Sequence, residues 1–292
     1  MKFTKMEGCG NDYIYVDART TEADWPALSR AMSDRHFGIG ADGLILIMES
    51  AKADLKMRMF NADGSEGEMC GNGIRCFAKY VIERDIAKPT EDGLKVETLA
   101  GIRTVVPISQ NGLVTRARVA MGAPRLRPQE VPVDVDLAQA QRVGEAVVNY
   151  PLSIDGTDLR LTFVSMGNPH AVAFIQQPVD QFPLHDIGPR VEHHPMFPNR
   201  VNFEIVNVVG DSKFNARVWE RGSGETMACG SGASAMAVAA RLLNITGKSV
   251  DINADTVDIT LPGGTLTVTW DGEGEVYLEG PAVEVFSGEW GG

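Results

Sequence analysis

Two stretches decide the reading of this chain: EGEMCGNGIRCFA at 66–78 and ETMACGSGASAMA at 225–237. Aligned on their cysteines, Glu66 meets Glu225, Cys70 meets Cys229, Gly71 meets Gly230, Gly73 meets Gly232 and Ala78 meets Ala237. Each copy follows a strand-like run that ends in a polar loop, MRMFNADGS before the first and ARVWERGSG before the second. The offset (229 − 70 = 159) is about half of the 292 residues. That period is too long for a solenoid. It reads as two homologous domains, each with a strand, a Gly-rich loop, a cysteine and a buried helix.

Around these copies the chain is mostly strand-like. Short runs rich in β-branched residues, bounded by Gly, Pro, Asn or Asp, occur at 13–17, 44–49, 55–60, 101–108, 114–121, 158–166, 170–175, 201–209, 214–220 and 265–270. VTRARV and FNARVW alternate apolar with polar, as half-buried strands do. The spacing of Ile74, Phe77, Ala78, Val81 and Ile82 predicts an amphipathic helix from Cys70 to about Glu83. GASAMAVAARLL, after Cys229, is apolar almost all round and predicts a helix buried on every side, to about Leu243. Weaker helices are expected over 23–34 and 183–191.

Composition excludes several classes. Apolar residues at 43% and charged residues at 23% are ordinary for a globular chain. No apolar run approaches the roughly 18 residues of a membrane span, and MKFTKMEGCGNDYIYVDA lacks a signal-peptide core. A cytoplasmic location is expected, with no membrane partner. The formal net charge is −12, from 27 Lys+Arg against 39 Asp+Glu. An acidic chain without a basic block argues against nucleic acid as a partner. Of the four cysteines, no two form a CxxC pair and none has a zinc-like spacing to histidine, so no metal is implied. No Gly-rich nucleotide fingerprint follows a strand, so no cofactor is expected either. Cys9 and Cys76 read as packing residues.

The repeated Cys-Gly-X-Gly carries the chemistry. At a helix start, the first-turn N–H groups are unpaired and favour an anion such as a carboxylate. The glycines let a ligand approach the backbone. The same field is expected to lower the cysteine pKa. Two copies facing one ligand across an interdomain cleft would hold an α-carbon between two sulfurs. One thiolate removes the α-proton and the other thiol protonates the opposite face, inverting the stereocentre by general acid–base catalysis.

GNDY (10–13), FNADGSEGEMCGNG (60–73), MGNPHAV (166–172), RVNFE (200–204) and WERGSGETMACGSG (219–232) together resemble the diaminopimelate epimerases, in the expected order over nearly the whole chain. That resemblance implies a pyridoxal-independent isomerase of lysine and peptidoglycan-precursor biosynthesis that interconverts LL- and meso-2,6-diaminopimelate. It implies an α+β fold of two pseudo-symmetric domains, each a curved, mostly antiparallel sheet around a central helix. The domains are expected at 1–120 plus 278–292, carrying Cys70, and 121–277, carrying Cys229. A final strand at 281–286 would return to the first domain, and a homodimer is expected. Cys70 and Cys229 match the catalytic pair. Gly71, Asn72, Gly230 and Ser231 match the helix-start positions that hold the reacting carboxylate. Asn11, Asn61, Asn168, Asn202, Glu220 and Arg221 match substrate-contacting positions, with Arg221 able to grip a distal carboxylate as a fork and Glu220 able to accept from an ammonium. His170 matches a supporting histidine.

Plainer readings exist for some of these. Asn61 and Asn168 sit in turn-forming NADG and GNPH. Glu220 and Arg221 can be an exposed surface pair, and His170 a satisfied core histidine. Asp63, Glu66 and Glu225 read as loop or helix-start residues, and His193 and His194 as polar loop. Gly43 stands where some family members carry Gln. A proline- or hydroxyproline-type racemase of the same fold is the nearest alternative, but such enzymes resemble CGHG rather than CGNG. A non-catalytic amino-acid-binding protein is a second. Oxidation is expected to join Cys70 and Cys229 if the sulfurs approach when the cleft shuts.

Overall fold

The computed structural model describes residues 1–245 and 255–291. The chain divides into two compact units, Met1–Ala120 with Glu279–Gly292, and Met121–Leu278.

In the first unit, β1 (Lys2–Gly8) and β2 (Asn11–Asp17) form an antiparallel hairpin. Its two turn residues, Cys9 and Gly10, both have positive φ, 56° and 77°. That left-handed pair matches the twist of the flanking strands. The crossover to the parallel β3 (Gly43–Met48) runs through α1 (Trp25–Ser33), capped by Asp24. β4 (Leu55–Asn61) lies antiparallel to β3, and β5 (Glu66–Gly67) folds back on it before α2 (Gly71–Glu83). β6 (Leu94–Thr98), β7 (Gly101–Gln110) and β8 (Leu113–Gly122) continue the sheet. Ile14, Val16, Leu44, Leu46 and Phe60 pack with Trp25 and Met32 of α1. Tyr15 and Ile45, on the other face, meet α2 at Gly73. Burial on both faces explains the unbroken apolar run of β3.

α2 spans the expected residues and is buried as the duplicated unit predicts, but its polar positions do not face water. Every residue from Gly71 to Val81 is buried, the charged Arg75 and Lys79 included. The polar face is satisfied inside the unit instead of by water. Arg75, wholly buried, donates to the carbonyls of Gly71 and Pro281 and to Asn72 Oδ1. Lys79 Nζ donates to Val114 O and to Glu83, each at 2.7 Å. A periodicity argument sees charge and infers solvent; here backbone carbonyls take that place.

The second unit opens with the pair β9 (Gln141–Val143) and β10 (Ala146–Val148). β11 (Tyr150–Ile154), β12 (Thr157–Ser165) and β13 (Pro169–Phe174) are antiparallel neighbours. A crossover carrying α3 (Leu184–Glu192) leads to β14 (Asn202–Gly210), parallel to β13. β15 (Lys213–Glu220) and the short β16 (Gly224–Thr226) precede α4 (Gly230–Leu242). β17 (Thr256–Leu261), β18 (Gly264–Thr269) and β19 (Val276–Pro281) follow. The expected burial of the second helix holds: Gly230 and Gly232–Ala240 are all buried. The strand expected over 281–286 splits, because Pro281 has no N–H for the ladder. β19 ends there, and β20 (Val283–Glu289) pairs antiparallel with β1.

The fold is α+β, with four α-helices among the described residues and mostly antiparallel strands. No helix among the described residues is long and apolar enough to cross a membrane. The register shows how deep the repeat runs. Tyr13 pairs with Gly43 as His170 pairs with Asn202. Leu44 pairs with Phe60 as Phe203 pairs with Trp219. Phe60 pairs with Glu66 as Trp219 pairs with Glu225. Asn11 and Asn168, Tyr13 and His170, Ile45 and Glu204, and Asn61 and Glu220 therefore occupy equivalent positions.

Candidate active site

In the first unit Cys70 is the N-cap of α2, in extended backbone, and its Sγ accepts the Gly73 N–H at 3.4 Å. The thiol donates to Asn11 Oδ1 at 3.3 Å. Asn11 is fixed in turn by Asp42, whose Oδ2 accepts its Nδ2 at 2.6 Å, and its Oδ1 also accepts from Asn72 Nδ2 at 3.4 Å. Tyr13 is a further neighbour of Cys70 and Asn11. Burial, then the charge of Cys70, pushes its phenol well above the ordinary range.

In the second unit Cys229 caps α4 in the same way, accepting the Gly232 N–H at 3.4 Å. Its thiol donates to Glu220 Oε2 at 3.1 Å, and Ser231 Oγ lies 3.5 Å from the sulfur. Glu220 Oε1 accepts Thr226 Oγ1 at 2.6 Å, which locks the carboxylate in place. Asn168 Nδ2 donates to Ser231 Oγ at 3.2 Å. In both units a bidentate pair pins the strand just before the cysteine. Arg58 holds Glu66 at 2.6 and 3.0 Å, and Arg217 holds Glu225 at 2.6 and 2.8 Å. Such forks are geometrically specific; Glu66 and Glu225, expected as loop or helix-start residues, lie instead on the short strands β5 and β16.

The two halves are alike in build, and the second has a carboxylate beside its sulfur. Cys229 has its thiol pushed well above the usual range, first by burial and next by the Glu220 carboxylate. The Ser231 and Gly232 hydrogen bonds pull the other way and lose. This corrects the expectation of a lowered pKa at that helix start. The helix N-terminus acts as expected, but desolvation and a neighbouring anion outweigh it.

A sequence model for the family described as "Diaminopimelate epimerase" matches residues 3–127 and 162–285. The diaminopimelate epimerase of Acetivibrio thermocellus is 47% identical over 291 residues, covering 99% of this chain and 98% of that one. That of Desulfovibrio desulfuricans is 48% identical over 294 residues, again covering 99% and 98%. The chain belongs to the diaminopimelate epimerase family. Solved structures share its fold at low identity. A probable proline racemase from Agrobacterium radiobacter aligns with TM-score 0.66 at 12% identity, covering 99% of this chain and 92% of that one. A PhzF-family phenazine biosynthesis protein from Bacillus anthracis aligns with TM-score 0.65 at 17% identity, covering 98% and 97%.

Against that family frame, the structure distributes the predicted residues unevenly. Asn11, Gly71 and Asn72 lie with Cys70, and Asn168, Glu220, Gly230 and Ser231 lie with Cys229. Asn61 closes its own turn, donating from Nδ2 to Ser65 Oγ at 2.9 Å. Asn202 is buried, with Nδ2 on Pro169 O and Oδ1 accepting the Arg221 N–H at 2.8 Å. It thus anchors the backbone of the Arg221 loop. Glu220 and Arg221 are not the surface pair that their adjacency suggests. Glu220 turns to Cys229, while Arg221 is exposed, donates to Asn199 O, and has no carboxylate in ion-pair range among the described residues. His170 is wholly buried between Glu204 and Asn168.

Some residues escaped the sequence reading. Asp42, Tyr13, Thr226 and Glu204 also touch the machinery; the last three stand within GNDY, WERGSGETMACGSG and RVNFE, but nothing in those stretches singles them out from their neighbours. The second glycine of each motif is also reassigned. A Cβ on Gly73 would stand 2.6 Å from Ile45 Cδ1, and one on Gly232 3.0 Å from Glu204 Oε1. These glycines make room for the unit's own side chains, not for a ligand. Cys76 is buried, donates to Glu7 O at 3.2 Å, and has its thiol pushed up to about 12 by burial. It is inert, as is the turn residue Cys9. Among the described residues no group of three or more His, Cys, Asp or Glu is placed to hold a metal.

Proposed function

We propose that the protein epimerises LL-2,6-diaminopimelate to the meso form, with Cys70 and Cys229 as the two acid–base groups. One thiolate takes the α-proton and becomes a thiol. The other thiol gives its proton to the opposite face of the α-carbon and becomes a thiolate. The substrate leaves with one inverted centre and no net change in atoms or electrons. In the reverse direction the sulfurs exchange roles. The negative charge that develops on the α-carboxylate is met by the positive dipole ends of α2 and α4. Arg221, exposed and without a carboxylate partner among the described residues, suits the distal carboxylate.

One observation carries this reading within the family: each unit places a cysteine as the cap of its own buried helix, at equivalent positions. Glu220 adds direction, because its carboxylate receives the Cys229 proton at 3.1 Å when that sulfur must act as base. A cytoplasmic location belongs to the same proposal, since the mechanism needs reduced thiols, which that compartment maintains. A homodimer does too, supported by the exposed Val283, Val285 and Phe286 on β20.

The test is proton exchange. Reduced protein incubated with LL-diaminopimelate in heavy water should place deuterium at the α-carbon of the meso product. Unlabelled substrate after prolonged incubation with folded, reduced protein would remove the reading.

A further inference from the structure

Glu204 is wholly buried on β14, facing α4, at the register position that Ile45 holds in the first unit. Its Oε1 lies 2.6 Å from His170 Nδ1, and its Oε2 is buried without a hydrogen-bond partner. A buried carboxylate is costly, and a chain that places Ile at the equivalent position has no packing need for it. The epimerisation reading, as developed above, gives it no task.

The hydrogen-bond geometry assigns one. Both ring nitrogens of His170 face oxygens, Glu204 Oε1 at Nδ1 and Asn168 Oδ1 at Nε2, 3.0 Å away. Nε2 must therefore carry a hydrogen. Nδ1 faces Glu204 Oε1 and makes its own hydrogen bond there. With Oδ1 of Asn168 taken by that N–H, its Nδ2 donates to Ser231 Oγ. The Ser231 hydroxyl is then left to donate to Cys229 Sγ, whose own S–H points to Glu220. Every link has one donor and one acceptor, and the direction follows from the hydrogen on Nε2.

We propose that Glu204 is a positioning residue: through His170 and Asn168 it turns the Ser231 hydroxyl toward Cys229, supplying a hydrogen bond that stabilises the thiolate. This rests on the proposed role of Cys229 as an acid–base group. Glu220 is the larger charged neighbour of that sulfur; the charge of Glu204 also raises the thiol, by less than the Ser231 hydrogen bond lowers it. Without Glu204, Nδ1 of His170 can take the ring hydrogen and Nε2 becomes an acceptor. Asn168 then turns its amide, and the Ser231 hydroxyl is drawn to Asn168 Oδ1, away from the sulfur.

The test uses the full-length reduced protein and iodoacetamide as probe, with alkylation of the Cys229 peptide quantified over a pH series and kcat measured in parallel. In Glu204→Met the midpoint should rise by about one pH unit, so alkylation slows about tenfold at fixed pH, as for loss of one hydrogen bond to a charged group. Glu204→Gln can donate to Nδ1 and keep the direction, so its profile should stay within about twofold of wild type. Ser231→Ala should match Glu204→Met, and the double variant should add nothing. An unchanged Glu204→Met profile, equal shifts in the Gln and Met variants, or full additivity with Ser231→Ala would overturn the proposal. If Glu204→Met does not fold, Glu204→Ile, the first unit's residue at this register, is read by the same criteria. Alkylation needs no turnover, so failure here stays separate from failure of the deuterium test.

Discussion

Glu220 stands at the strand position that Asn61 holds in the other unit, and its carboxylate accepts the Cys229 thiol at 3.1 Å. Asn61 turns to Ser65 instead. The carboxylate at this position places a negative charge beside the Cys229 sulfur. Glu220→Gln tests this. Removing the anion should bring the Cys229 alkylation midpoint down, though not to the ordinary thiol range, because burial is the larger cause. Epimerisation should nevertheless fall about 10²-fold, the usual scale for losing a proton acceptor. An unmoved midpoint would refute the charge argument.

Cys70→Ala and Cys229→Ala should each cost at least about 10²–10⁴-fold in turnover. Circular dichroism should show the fold intact. Retention of full activity by either variant would take that sulfur out of the mechanism.

Arg221→Lys keeps the charge but loses the fork. Its side chain is exposed, so stability should not change. We expect kcat/KM to fall by about 10-fold to 10²-fold, on the scale of a charged hydrogen bond, with most of the loss in KM. Wild-type kinetics would assign the distal carboxylate to another residue.

Gly73→Ala should destabilise by about 1–3 kcal/mol, the cost of overpacking, since the new Cβ would stand 2.6 Å from Ile45 Cδ1. Valine has no Cδ1. Ile45→Val in the same chain should therefore recover part of the loss, a coupling that urea midpoints over the four-member cycle would measure. Strict additivity would show that the clash is relieved elsewhere.

Stability should fall at alkaline pH. Cys76 is held up to about 12 by burial, against 9.0 for a free thiol. Below pH 9 both folded and unfolded states keep the proton, so nothing is lost. Above it the unfolded state releases the proton first, and stability declines by about 1.4 kcal/mol per pH unit until the folded thiol also ionises. Tyr13 and Tyr15, pushed well above 10.0 by burial, steepen the fall from pH 10. Urea midpoints should drop across this window, and less steeply in Cys76→Ala. A flat profile would contradict the burial of these groups.

The amino-acid sequence by itself determined the duplication, the two cysteines, the apolar α4 and the alternation of β15. Each is a local pattern of spacing or period, which a chain displays before it folds. Tertiary structure alone decided what surrounds each sulfur. Glu204 sits in VNFEIV and looks like the polar member of a half-buried strand, but parallel pairing with β13 places it against His170. Arg75 and Lys79 look like a wet helix face, yet carbonyls from Gly71, Pro281 and Val114 take them in. The expected low thiol pKa failed at Cys229 for the same cause. A helix start is written in the neighbouring residues, whereas desolvation and the approach of Glu220 depend on parts of the chain that meet only on folding.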